Sequence, residues 1–157
     1  MKKAILFLTI ITMISCQNTE DDSSYDNIYT HIEFSIKNDV NEDLLDPNNA
    51  NAIDTSKINI YYIKDGIKTL YYKSNYTYPK GYLIFEHENE FRIKIFTDYS
   101  TDKDTTIIEW SENDADTVEV LYKKTANSIL KEKVWLNGEQ VWELGNNTVD
   151  AFFVLTK

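Results

Sequence analysis

Two dipeptides, Asp65-Gly66 and Asn137-Gly138, constrain the fold of this chain more than any other feature. Each lies between two runs rich in β-branched and aromatic residues, and each pair tolerates the positive φ angles of a two-residue hairpin turn. Such a turn fixes the strand register. Around the first, Lys64 faces Ile67, Ile63 faces Lys68, Tyr62 faces Thr69 and Tyr61 faces Leu70. Apolar groups then lie on both faces, as expected of a strand pair inside a two-layer sandwich. Around the second, Leu136 faces Glu139 and Trp135 faces Gln140, which puts Trp142 one diagonal step from Trp135 on the same face.

The remaining chain carries the same two-residue period. Ile28, Thr30, Ile32, Phe34 and Ile36 alternate with Tyr29, His31, Glu33 and Ser35, the pattern of one half-buried strand with His31 on its wet face. Residues 38–57 form a long polar connection in which Leu44 and Leu45 plug the core edge. Residues 75–81 turn around Pro79, and strands over 82–86 and 90–97 pair across His87-Glu88-Asn89. Further strands cover 105–110, 117–124 and 149–155. With turn signals every ~8–12 residues, this spacing predicts an all-β fold: a single antiparallel β-sandwich, immunoglobulin-like or related, of about nine strands. The immunoglobulin label is an analogy, because no Cys-Trp-Cys framework is present.

The first residues determine destination and not fold. Met1-Lys2-Lys3 precede a mostly apolar segment, residues 4–15, too short for the ~18–20 residues of a membrane-spanning helix and matched to a secretory signal. The segment ends in Met13-Ile14-Ser15-Cys16, which resembles the bacterial lipobox with Met13 where leucine is usual. Cys16 is the only cysteine, so no internal disulfide can form and lipidation would use the one thiol. The following Gln17-Asn18-Thr19-Glu20-Asp21-Asp22-Ser23-Ser24 is similar to the acidic surface-export signal of Bacteroidetes lipoproteins. Together with tyrosine-rich strands and the Leu44-Leu45-Asp46-Pro47 loop, the chain resembles small Bacteroidetes surface lipoproteins. The resemblance implies a signal peptide over residues 1–15, a lipidated Cys16 with a flexible acidic tether over 16–27, and a sandwich over 28–157. The protein would be held to the outer membrane through the lipid on Cys16 and face the cell surface.

Charge narrows the partners. The chain has 16 Lys+Arg against 26 Asp+Glu, a net charge of -10. Residues 1–15 contain two of the lysines and no acid, so without them the balance is 14 against 26, or -12. A surface so acidic repels phosphate backbones and anionic headgroups, which excludes nucleic acid as a partner and leaves the lipid as the membrane contact.

Catalytic signals are sparse. Past the leader the chain has no cysteine, only His31 and His87 as histidines, and no Gly-x-Ser-x-Gly elbow. Two distant histidines make a poor zinc set. Carboxylate pairs of the glycosidase type are too abundant for any to stand out. No cofactor is expected. Calcium has weak candidates in Asp39, Asn41 and Asp43, although an EF-hand asks for glycine and glutamate where the chain has Leu44 and Ala50. Asp104-Thr105-Thr106 and Asp116-Thr117-Val118 resemble Bacteroidetes O-glycosylation acceptors at loop-to-strand junctions, with Thr105 and Thr117 as the acceptors.

The better site is aromatic. Trp135 and Trp142 on one hairpin face, with Tyr61, Tyr62, Tyr71 and Tyr72 on the other hairpin, form a candidate platform for a sugar ring or protein surface. The expected function is a non-enzymatic binding or adhesion module for a glycan or a protein. A structural subunit of a surface complex, joined through an exposed sheet edge, is the alternative, and a carboxylate-based hydrolase comes third.

Overall fold

The structure is a computed structural model and describes residues 27–145 and 151–157. The leader, Cys16 and the tether before Asn27 lie outside the described residues. Eleven strands run in chain order: β1 (Asn27–Tyr29), β2 (Ile32–Lys37), β3 (Asn59–Lys64), β4 (Ile67–Leu70), β5 (Tyr82–His87), β6 (Glu90–Ile95), β7 (Lys103–Ser111), β8 (Asp114–Lys124), β9 (Ser128–Leu136), β10 (Glu139–Glu143) and β11 (Phe152–Thr156). One sheet has the order β1-β9-β8-β7-β3-β4, with β10 also on β9; the other has the order β11-β2-β6-β5. The molecule is an all-β sandwich.

Both Xaa-Gly turns set the register read from the sequence. Asp65 and Gly66 take φ of 51° and 76°, and Lys64 to Tyr61 pair with Ile67 to Leu70 in order. Asn137 and Gly138 take φ of 50° and 84°, and Leu136 pairs with Glu139 and Trp135 with Gln140. The sandwich nevertheless departs from the expected pattern in three places.

The strand expected over 28–36 breaks at Thr30-His31. Its first part pairs in parallel with β9, while β2 enters the opposite sheet, where β11 pairs with it in parallel. Two of the strand pairs are therefore parallel in an otherwise antiparallel arrangement. The break is possible because side chains satisfy the backbone groups that the crossing strands. Thr97 Oγ1 donates to the Thr30 carbonyl at 2.6 Å, and the buried Lys131 ammonium donates to the His31 carbonyl. Thr97 has only one hydroxyl proton and spends it on Thr30, so the Tyr122 hydroxyl donates to Thr97.

The first hairpin differs as well. β4 is an edge strand with Ile67 65% and Leu70 51% exposed, so the cover expected on both hairpin faces is confined to β3. The third departure is a bulge in β10 between Gln140 and Trp142.

Between the sheets lie Ile32, Phe34 and Ile36 of β2 and Ile93 and Ile95 of β6, facing Ile58, Ile60, Ile108, Val118, Val120 and Val134. β-branched side chains fill a pleated surface well, which is why so few residue types suffice. Phe34 is the largest fully buried side chain. It stacks on Phe153 at 4.8 Å and 8°, and meets Trp110 edge-on at 6.2 Å and 87°. Leu44 and Leu45 are buried beneath the 38–57 connection, where the Leu44 amide donates to Ile36 O at 2.8 Å.

Candidate functional site

The tryptophan pair does not form a platform. After Gln140 the β9–β10 ladder slips by one residue, so Trp142 pairs with Val134 and Glu143 with Lys133. A bulge of this kind reverses the face of every residue beyond it. Trp142 thereby moves to the core side with Val134, where it is 7% exposed, while Trp135 stays outside beneath Lys103 Nζ at 5.5 Å. Strict alternation would have left a second indole in water. The slip buries it instead. The four tyrosines of the first hairpin also divide between faces: Tyr61 lies outside under Lys68 Nζ at 4.0 Å, whereas Tyr62 and Tyr71 pack on each other inside at 5.2 Å.

The calcium candidates are not assembled into a site. Asp43 uses both carboxylate oxygens on backbone amides, Oδ1 on Leu45 at 2.9 Å and Oδ2 on Phe91 at 2.7 Å, which ties the 38–57 connection to β6. Asn38 accepts from the amides of Val40 and Glu42, and Asn41 turns the chain at φ 67°. Among the described residues no three His, Cys, Asp or Glu side chains gather as metal ligands. Asp39, Asn41 and Asp43 are turn residues here. Thr105 and Thr117 lie within β7 and β8 and not at junctions; both are half-buried, opposite Glu119 and Ile107, and the aspartate before each is buried on the other face.

Those aspartates have structural work. Asp116 accepts from Trp110 Nε1 and Asn137 Nδ2, each at 2.7 Å, and pairs with Lys157 at 2.9 Å. Burial pushes its carboxyl up, but these three partners outweigh it and hold it below the usual value. Asp104, 4% exposed, accepts from Thr106 Oγ1 at 2.7 Å and from the Asp98 amide at 3.3 Å, which pins the 98–103 loop. Burial raises its carboxyl to about 6. Asp98 faces the same small recess and pairs with Lys64 at 2.6 Å. There burial also pushes upward, yet Lys64 and the bonds from Ser100 prevail and lower it.

Among the described residues an aromatic recess lies elsewhere, in the connection from β4 to β5. Residues 71–81 leave the edge strand, fold back and are pinned by Tyr71 N to Ile60 O at 2.8 Å, Lys73 N to Pro79 O at 2.9 Å and Phe96 N to Gly81 O at 3.0 Å. Gly81 is required twice over. Its φ is +80°, and a Cβ there would stand 2.7 Å from the Tyr71 ring. That close approach lays Tyr71 against the backbone, while Tyr78 stacks on Phe96 at 5.5 Å and 17°. Tyr71, Tyr76, Thr77, Tyr78 and Phe96 line an open recess of about 340 Å³. Tyr76 is 53% exposed, and Lys73 Nζ lies over its ring at 4.8 Å and over that of Tyr71 at 5.5 Å.

Pairwise reading of hairpins passes over Tyr76, Tyr78 and Phe96. Composition does mark the segment. Residues 66–85 are the longest stretch of the chain without an acid and contain Lys68, Lys73 and Lys80 and five of the eleven tyrosines. Rings held on a pinned loop, two of them beneath the Lys73 ammonium, give a largely apolar recess that desolvates cheaply. No protein family, no curated protein and no solved structure matches this chain.

Proposed function

We propose that this protein is a lipid-anchored, surface-exposed outer-membrane lipoprotein that binds a glycan, without catalysing a reaction, in the recess of Tyr71, Tyr76, Tyr78 and Phe96. The observation that carries this reading is the recess itself. It is open and aromatic, and Gly81 and Phe96 hold two of its rings, Tyr71 and Tyr78. A pyranose has one face of C–H groups and a rim of hydroxyls, so it matches a ring that is apolar in the middle and polar at its tip. Preformed rings lose little conformational freedom on binding. The anchor rests on the residues from Met1 to Cys16 and the acidic tether. Two face-packed sheets are in keeping with an immunoglobulin-like sandwich in the broad sense.

Binding and anchoring are tested separately. On a glycan array, the double variant Tyr76→Ala/Tyr78→Ala should lose at least tenfold in affinity for any glycan that the native protein binds, about 1.4 kcal/mol or more for two rings. No bound glycan, or an affinity the double variant keeps, rejects the site. Cys16→Ser should move the protein from the membrane fraction to the soluble fraction, because lipid attachment needs the thiol. A variant that stays with the membrane shows that something other than Cys16 holds it.

A further inference from the structure

Resting on the recess as a glycan site, we infer that it selects acidic sugars, with a uronic-acid carboxylate on Lys73 Nζ and the sugar ring on Tyr76. A chain of net charge -10 repels polyanions over most of its surface, yet residues 66–85 contain three lysines and no acid. The segment that supplies Tyr71, Tyr76, Thr77 and Tyr78 is thus a basic stretch in an acidic chain.

The three lysines differ in what occupies them. Lys68 pairs with Glu109 at 3.5 Å. Lys80 donates to the carbonyls of Ser56 and Ile58, at 2.6 and 3.4 Å. Lys73 has no carboxylate within ion-pair distance among the described residues, although nine other lysines do. Its ammonium stands over the rings of Tyr76 and Tyr71, two of the residues that line the recess. An ammonium held over aromatic faces keeps its donors toward solvent, where a carboxylate can take them.

The test compares one oligosaccharide in two charge states: an oligouronate and its carboxyl-reduced, neutral counterpart. Each is titrated calorimetrically into the full chain, solubilised in a detergent without a sugar headgroup. At about 20 mM salt the acidic form should bind roughly tenfold tighter, and the difference should shrink to about threefold or less near 0.5 M, where screening is strong. Lys73→Gln should erase the preference, and Lys73→Arg should retain it. Tyr76→Ala should weaken both forms. Equal binding of the two forms by the native protein, or a preference that survives Lys73→Gln, overturns the acidic selectivity and leaves the glycan site standing. No binding of either form, with no glycan bound on the array, overturns the site as well.

Discussion

Phe34→Ala should destabilise the sandwich by about 3–5 kcal/mol, a large share of the ~5–15 kcal/mol that holds a domain of this size together. The ring is wholly buried, stacked on Phe153 and edge-on to Trp110, so truncation removes contacts with both sheets at once. Collapse of the cavity is hindered by position. β2 is an interior strand, with β11 on one side and β6 on the other, and Phe34 is in register with both Phe153 and Ile93. Moving that strand inward would break ladders on each edge. Urea denaturation followed by tryptophan fluorescence measures the effect, with a lower midpoint and an unchanged slope expected. A loss under about 1 kcal/mol would mean that the core closes around the gap, contrary to the packing described.

Asp104→Asn should stabilise the protein at pH 8 by about 1–3 kcal/mol and have almost no effect near pH 3.5. The native carboxyl titrates at about 6, raised chiefly by burial, and in the unfolded chain at the ordinary aspartate value near ~4. Between those values the folded state binds the proton and the unfolded state does not. Stability from this group is thus fully present below about pH 4 and is lost as pH rises through 6. Asparagine keeps an oxygen for Thr106 Oγ1 and the Asp98 amide, and removes the charge that burial penalises. Asp98 and Asp116 act in the opposite sense. Their lowered values supply stability above the ordinary aspartate range that is lost as pH falls through them. The native protein is therefore expected to be most stable around pH 4–5. Denaturation midpoints of both proteins between pH 3.5 and 8 decide the matter, and equal midpoints at pH 8 would show that the carboxylate carries no penalty.

Hairpins were legible in the sequence because their information is local. Asp65-Gly66 and Asn137-Gly138 fix two turns, and each turn fixes its first pairs. The core faces followed from alternation, as Ile32, Phe34 and Ile36 show. What alternation cannot show is a change of sheet within a run. From Ile28 to Ile36 the pattern is unbroken, and the crossing at Thr30-His31 depends on Thr97 and Lys131, 67 and 100 residues away. The β10 bulge is hidden for a related reason. Trp135 and Trp142 were paired by counting from the turn, and the count fails once burial of an indole outweighs one regular ladder step. The recess of Tyr76 and Tyr78 needs Phe96, just past the end of β6 and 18 residues from Tyr78, so local pairing could not assemble it.

The two parallel pairings set the order in which this protein can fold. Every antiparallel pair joins strands close in sequence or reached through one intermediate, except where β2 meets β6 and β3 meets β7. The parallel pairs instead bring the beginning of the described chain to its end, β1 against β9 and β2 against β11. Contacts of such long sequence separation pay a loop-closure cost before they return any stability, and they slow folding. Until residues 152–156 are present, Phe34 lacks its stacking partner and one edge of β2 stays open. The hairpins can form early, but the sandwich closes last. A chain cut before residue 152 therefore keeps its hairpins but cannot reach the finished sandwich.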